Sequence, residues 1–266
     1  MKRGFMGLLD NKNAIITGGS RGIGKSIACY LAKENCNVSI IGRTRDEVNS
    51  TVDELKNYNV ESFGYIGDQS SEDFVVDTIK KINKEFKTID ILINNAAVGM
   101  RYITESSNRF IHNMPTDDWK RIIDINLNGV MYFSREVLKT MRKQSSGKIV
   151  MISSGLGRKG YLQYGPYSAS KFAMEAMMQI IALENANKNI FCNSVAPGGL
   201  TNSSEKFLGK MNKSKLDEIL PANICDDIIL FLATENSSGI NGQALTAKEW
   251  NKENNITIEN LRNRLI

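Results

Sequence analysis

Tyr167 and Lys171, four residues apart in "GPYSASKFA", stand directly behind a proline. Residues i and i+4 of a helix share one face, so a phenol and an ammonium at that spacing can act together. Pro166 suits the first turn of a helix, where its missing N–H costs nothing. The chemistry on offer is proton transfer to or from an oxygen. A phenol with a pKa of about 10 is a poor acid near neutrality, and a cation one turn away lowers that value. An ordinary surface pair of two common residues is the alternative. A second constellation, "TGGSRGIG" at Thr17–Gly24, follows an apolar stretch and opens a helix. Glycines there let the backbone turn tightly and approach a pyrophosphate at the positive end of the helix. Its spacing, G-x-x-x-G-x-G, differs from the commoner dinucleotide fingerprint, and a plain glycine-rich turn is the alternative.

The next apolar stretch ends in "VSIIGRTR". A site selective for NAD places an acid at the end of that strand, and here the position is Gly42, followed by Arg43. A guanidinium clasps a 2′-phosphate with paired, charge-assisted hydrogen bonds, and Arg21 can approach from the glycine-rich turn. The expected cofactor is therefore NADP(H), and Arg43→Ala combined with Gly42→Asp should turn the preference toward NADH. Solvated arginines are the alternative.

These residues need a frame, and the rest of the sequence supplies one. Short apolar runs predict strands at Ala14–Thr17, Val38–Ile41, Ser62–Ile66, Ile89–Ile93, Lys148–Ile152, Phe191–Val195 and Ala244–Thr246. Segments of helical period predict helices near Gly22–Glu34, Arg45–Lys56, Glu72–Phe86, Asp117–Lys143, Tyr167–Ala186 and Asn223–Ala233. Thr44 with Glu47 reads as a capping box, and Ser70 or Ser71 can cap the following helix. The alternation predicts an α/β fold, a single domain over residues 1–266 with a doubly wound parallel sheet. Two connections, Val98–Pro115 and Gly198–Leu220, are long and would emerge at the carboxyl ends of strands, where ligands bind in such sheets. Ser154, at the end of the fifth strand, stands at the same edge and can hydrogen-bond a substrate oxygen.

With 266 residues, 41% of them hydrophobic, one large core is affordable. The net charge of +5 is dispersed, which speaks against a nucleic-acid stripe. Four cysteines form no CxxC pair and the one histidine, His112, has no partner at zinc spacing, so no disulfide framework and no metal are expected. Neither a signal peptide nor a membrane-spanning run is present, and a soluble, cytoplasmic setting is expected.

Thr17-Gly18-x-x-x-Gly22-x-Gly24, Asn94-Asn95-Ala96-Ala97, Ser154 and Tyr167-x-x-x-Lys171 together resemble the classical short-chain dehydrogenases/reductases, in order and in spacing, from about Asp10 to Thr246. The resemblance implies a Rossmann-type fold and hydride transfer between a nicotinamide cofactor and a carbonyl or alcohol. It implies Tyr167 as acid/base, Lys171 as its activator, Ser154 rather than Ser153 on the substrate oxygen, and Asn126 holding a water in a proton relay. It also implies a cofactor site made by Gly18, Ser20, Arg21, Gly22, Ile23 and Gly24, by Arg43 and Thr44, and by Asp68 and Gln69 at the adenine. Asn94 and Ala96 would line the ribose, with Pro197, Gly198 and Thr201 near the nicotinamide. Departures from the family pattern are Ala97 for a glycine, Gln69 for an apolar residue, Thr201 one place early, the long connection from Asn94 to Trp119 with Arg101, Arg109 and His112, and the tail 247–266 in place of a closing Asp-Gly-Gly.

The expected activity is that of an NADP(H)-dependent carbonyl reductase or alcohol dehydrogenase on a small or carrier-bound substrate. Alternatives are a 3-oxoacyl-thioester reductase, whose basic surface would meet an acidic carrier protein, and a nucleotide-sensing regulator without turnover. Leu156, Tyr161, Tyr164, Leu200 and Trp250 are candidates for an apolar substrate pocket or for ordinary core, and Arg101 or Arg109 for holding an acidic group. Ile258, Leu261 and Leu265 in the tail suggest a helix docked on the protein's own core. The resemblance further implies a homotetramer built on the helices near Asp117–Lys143 and Tyr167–Ala186.

Overall fold

The apolar runs become seven strands: β1 (Asn13–Thr17), β2 (Asn37–Gly42), β3 (Ser62–Ile66), β4 (Ile91–Asn94), β5 (Gly147–Ile152), β6 (Ile190–Ala196) and β7 (Ala244–Thr246). The computed structural model describes residues 7–103, 105–201 and 218–264. The strands form one sheet in the order β3-β2-β1-β4-β5-β6-β7, with every pairing parallel. The winding reverses between β1 and β4, so a crevice opens at their carboxyl ends.

Helices cover both faces: α1 (Gly22–Lys33), α2 (Arg45–Lys56), α3 (Glu72–Phe86), α4 (Thr116–Ile123), α5 (Gly129–Gln144), α6 (Gly165–Glu184), α7 (Asp226–Ala233), α8 (Ala247–Glu253) and α9 (Ile258–Asn263). Alternation along the strands divides the core. Ile15, Leu92 and Ile149 face one way, against Ile79 of α3, Phe133 of α5 and Met178 of α6. Ile16, Ile91 and Val150 face the other, against Leu31 of α1, Leu55 of α2 and Ile228 of α7. Burying one such leucine stabilises the fold by ~2 kcal/mol. Both faces being covered, the central strands read as continuous apolar runs in sequence.

The structure departs from the sequence reading in two places. The single helix expected over Asp117–Lys143 is two, α4 and α5, joined through a π-helical turn at Asp124–Asn128. The capping box at Thr44 does not form, and the Thr44 side chain caps nothing. Of the two serines before α3, Ser71 is the cap, its Oγ accepting from the Phe74 N–H at 3.4 Å, while Ser70 turns to Asp68. In the tail, Leu261 is buried in the core with Ile258 packed beside it. Asn223 donates to the Leu261 carbonyl at 2.7 Å, fixing α9 on the turn that opens α7; Leu265 lies outside the described residues. No helix among the described residues is long and apolar enough to cross a membrane.

Candidate active site

The first turn of α6, opened by Pro166, sets Tyr167 and Lys171 on one face beside the end of β5. The Lys171 ammonium lies 5.9 Å from the centre of the Tyr167 ring and donates to the Ile152 carbonyl at 2.7 Å. Lys171 is buried, and burial lowers its pKa to about 8, against a raising influence from Glu175. Burial likewise raises Tyr167, with a hydrogen bond from Ser154 pulling it back down and Tyr164 adding to the rise. The expected lowering of Tyr167 by Lys171 is thus not what the protein alone produces. The ammonium is engaged by the Ile152 carbonyl and is itself desolvated, so burial of the phenol wins.

The two serines of "VMISSG" divide their tasks. Ser153 donates to the buried Glu175 at 2.6 Å, whereas Ser154, half-buried, accepts from the Leu156 N–H at 3.2 Å and shares the hydrogen bond with Tyr167. Ser154 is therefore the serine at the phenol.

Asn126 sits in the middle of the π-helical turn and is fully buried. Its Oδ1 accepts from the Val98 N–H at 2.8 Å, and its Nδ2 donates to the Val98 carbonyl at 2.9 Å and to Ser170 Oγ at 3.4 Å. Both N–H bonds of the amide are committed, so the side chain clamps the segment after β4 to the turn and to α6. π-Helical turns interrupt the regular i→i−4 ladder and recur at functional sites.

The glycine-rich turn fits a dinucleotide. Gly18 has φ +64° and Gly22 φ +55°, where side chains are strained. A Cβ on Gly24 would stand 2.2 Å from the Gly18 carbonyl, so the turn lies directly on the first turn of α1. Asn95, named in the sequence motif but given no role there, braces it: its Nδ2 donates to the Thr17 and Gly18 carbonyls at 2.9 and 3.1 Å. Thr17 Oγ1 in turn accepts from the N–H groups of Asn95 and Ala96, each at 3.0 Å. Asn95 was legible as the polar neighbour of Asn94 in "NNAA". Ile23 packs against the core beneath.

Around the end of β2, Arg43 and Thr44 are exposed. Arg21 does not stand alone: Glu47, free of the absent capping box, lies 3.9 Å from its guanidinium and accepts from Ser20 Oγ at 3.5 Å. A carboxylate thus reaches this corner from α2 although the end of the strand has none. A Cβ on Gly42 would lie 2.7 Å from Val48 Cγ2 and 3.0 Å from Ser20 Oγ, so Gly42→Asp would force the neighbours apart and cannot test cofactor choice cleanly.

At the expected adenine end, Asp68 is engaged by Arg121 at 2.6 Å and by the Ser70 hydroxyl at 2.8 Å. Its carboxyl is held below its usual value by hydrogen bonds from Ser70 and Arg121, although burial opposes this. Gln69 is buried and donates to the carbonyls of Ala96, at 3.0 Å, and Ile125, at 2.7 Å. It is a strut between the segment after β4 and the π-helical turn. The Asn94 side chain points inward to Ser134 Oγ at 3.0 Å, so Ala96, not the Asn94 amide, borders the crevice. Its Oδ1 and Gln69 Oε1 remain buried without a partner.

Beyond β6, Gly198 has φ +92°, and a Cβ there would approach Lys248 and Thr246 within 3 Å. Pro197 accepts from the Lys248 N–H at 3.2 Å, and Thr201 pairs with Leu220 in an isolated parallel bridge. Most of the Gly198–Leu220 connection lies outside the described residues. The segment after β4 packs on the start of α6: Met100, Ile103 and Ile122 form an apolar cluster with Tyr164 and Tyr167. Arg109 donates to the Ile103 carbonyl at 2.8 Å, and His112 lies against Phe110. Tyr161 and Leu200 are exposed near this mouth. Trp250 is not at the mouth: it packs on Phe231 of α7.

The family model described as short chain dehydrogenase matches residues 12–213. The 3-oxoacyl-[acyl-carrier-protein] reductase FabG of Staphylococcus epidermidis is 31% identical over 242 residues, covering 88% of this chain and 96% of the relative. The protein of the same name from Buchnera aphidicola is 33% identical over 247 residues, with 89% and 96% covered. Among solved structures, a short-chain type dehydrogenase/reductase from Mycobacterium marinum superposes with a TM-score of 0.78 at 26% identity, covering 90% of this chain and 94% of the other. With the glycine-rich turn at the crevice, the tyrosine and lysine on α6, and a match over most of its length, this chain belongs to the short-chain dehydrogenase family of oxidoreductases.

Proposed function

We propose that the protein is an NADP(H)-dependent oxidoreductase interconverting a carbonyl and a secondary alcohol. The observation that carries this reading is the meeting of Tyr167, Ser154 and Lys171 at the carboxyl edge of β5, facing the crevice that the glycine-rich turn borders. The Gly18–Gly24 turn and the N-terminus of α1 hold the pyrophosphate, Ala96 and Asp68 border the adenosine, and Pro197, Gly198 and Thr201 border the nicotinamide. The bound cofactor supplies the hydride and, in its oxidised form, a positive ring charge. Tyr167 gives its phenolic proton to the developing alkoxide, and Ser154 donates a hydrogen bond to the same oxygen. Lys171 stabilises the phenolate that remains and passes a proton back to it. Asn126 serves the relay by holding the π-helical turn, since its side-chain N–H groups are already committed.

Arg43 and Arg21 favour NADP(H), with Glu47 as the opposing charge. A narrower reading, reduction of a 3-oxoacyl thioester on an acyl carrier protein, is supported by the names of the relatives that match over 88–89% of this chain. A cytoplasmic homotetramer is part of the proposal. The exposed face of α6 carries Phe172, Ile180 and Leu183, an apolar stripe suited to a second copy, and sedimentation velocity of the native protein would test the tetramer.

Purified protein should oxidise NADPH with a member of a ketone and 3-oxoacyl-thioester panel, and Tyr167→Phe should keep NADPH binding while losing at least ~100-fold in kcat. An inert native protein that still binds the cofactor would instead support a dinucleotide-sensing regulator. Near-normal turnover in Tyr167→Phe, with chemistry limiting, would remove Tyr167 from its role.

A further inference from the structure

One buried carboxylate behind the site has no part in the mechanism above. Glu175 lies one helical turn beyond Lys171 on α6 and is 6% exposed. Its Oε1 accepts from Ser153 Oγ at 2.6 Å and faces Arg158 Nε at 3.5 Å; its Oε2 accepts from Ser194 Oγ at 2.5 Å. Ser153 directly follows β5, Ser194 belongs to β6, and Arg158 also donates to the Leu245 carbonyl and to Thr246 Oγ1 at the end of β7. Glu175 therefore joins the end of β5 to β6 directly and reaches the end of β7 through Arg158.

Burying a carboxylate is costly unless it is paired and hydrogen-bonded, and hydroxyls alone could have joined these strands. The charge needs its own explanation. We propose that Glu175 is a positioning and charge-setting residue for the Tyr167–Lys171 pair: it fixes the strand ends that carry Ser154 and supplies the negative charge that keeps Lys171 an ammonium. The proposal rests on the catalytic reading of that pair.

The charged groups around the pair are few. Glu175 shares α6 with Lys171, and Arg158 comes from the turn after β5. The facing ends of β5 and β6 present the neutral hydroxyls of Ser153 and Ser194, and the π-helical turn presents the neutral amide of Asn126. Tyr167 and Tyr164 are the other titratable neighbours. Burial lowers Lys171 to about 8, and Glu175 opposes that fall. Removing the negative charge favours deprotonation of Lys171 and of Tyr167 alike, so the sign of the effect is the same whichever of the coupled groups governs the profile. Arg158 is the built-in counterweight, and removing it should act in the opposite sense.

The test is the pH profile of kcat/KM for NADPH-dependent ketone reduction in native protein, Glu175→Gln and Arg158→Met, with Tyr167→Phe as the reference for the catalytic reading. A glutamine can keep Oε1 toward Ser153 and Arg158 and turn Nε2 toward the Ser194 oxygen, so size and hydrogen bonding survive while the charge is lost. The basic limb of Glu175→Gln should move down by ~1 pH unit, a loss of ~10-fold above the limb and little below it. That of Arg158→Met should move up, and NADPH affinity read by tryptophan fluorescence should stay within ~2-fold in both, because neither variant touches the glycine-rich turn. A Glu175→Gln profile that superimposes on the native one, or a downward shift in both variants, would overturn the proposal. Should Glu175→Gln fail to fold, Arg158→Met decides alone: an upward shift supports the proposal, and no shift or a downward one refutes it. If Tyr167→Phe retains turnover, the catalytic reading fails instead, a result separate from any displacement of the limb.

Discussion

Tyr167 and Lys171 are pushed in opposite directions by the same cause, since burial disfavours both the phenolate and the ammonium. Both charged forms are therefore less favoured than the sequence spacing suggests, and in the proposed reaction an oxidised nicotinamide bound beside the phenol would add a positive charge that favours the phenolate. At the same scale, Glu47 lies 3.9 Å from the Arg21 guanidinium and, in the proposed NADP(H) site, would oppose the preference that Arg43 and Arg21 favour. Arg43→Ala should weaken NADPH binding by ~10-fold or more, the worth of one charged hydrogen bond, and leave NADH nearly unchanged. Glu47→Gln should strengthen NADPH binding selectively, because it removes a charge that repels a 2′-phosphate. Fluorescence titration with both cofactors checks this; equal shifts for NADH and NADPH in either variant would show that these residues do not discriminate.

Among the elements, the π-helical turn at Asp124–Asn128 is held from two sides: Asn126 clamps Val98, and Gln69 ties the Ile125 carbonyl to that of Ala96. Gly129 follows the turn because Gln69 leaves no room for a side chain, a Cβ there falling 2.7 Å from Gln69 Cγ. Two hydrogen bonds from a buried amide to backbone carbonyls make Gln69 a structural strut between the segment after β4 and the π-helical turn. Gln69→Ala removes a buried donor from both carbonyls and should lower unfolding stability by ~1–3 kcal/mol, with kcat falling as Asn126 loosens. Urea unfolding monitored by circular dichroism measures the first effect. An unchanged midpoint would mean that water replaces the amide without penalty.

For the whole molecule, a buried acid between α1 and α7 makes stability depend on pH. Asp226 accepts from Ser26 Oγ at 2.7 Å, while its other oxygen is buried without a partner, and burial raises its pKa to about 7. In the unfolded chain the same carboxyl titrates near ~3.9. Between those values the native state binds a proton that the unfolded state does not, so this group's contribution to stability falls as pH rises and flattens above about 7. The thermal midpoint should accordingly carry a component from Asp226 that rises as pH is lowered from 8 to 6, and Asp226→Asn should remove it. Parallel curves of Tm against pH for the two proteins would contradict the assignment.

Much was determined by the sequence itself. Apolar runs of strand length separated by helical periods dictate a parallel sheet covered on both faces, because only burial on both sides accounts for runs such as "NAIIT". The tyrosine, the lysine and the glycines were legible because their chemistry depends on local spacing: one helical turn in the first case, a tight turn at a helix start in the second. What the sequence could not carry are relations between residues far apart along the chain. The π-helical turn is silent in periodicity, since one extra residue in a helix barely disturbs an apolar pattern, and its cause, the Asn126–Val98 clamp, spans 28 positions. Glu47 reads locally as a cap and only the fold brings it to Arg21; Asn94 reads as a lining residue and only the fold turns it inward to Ser134. Glu175 looks like an ordinary charge on a helix until the end of β5, β6 and Arg158 close over it, for burial and electrostatic coupling arise from tertiary proximity and from nothing in the local chain.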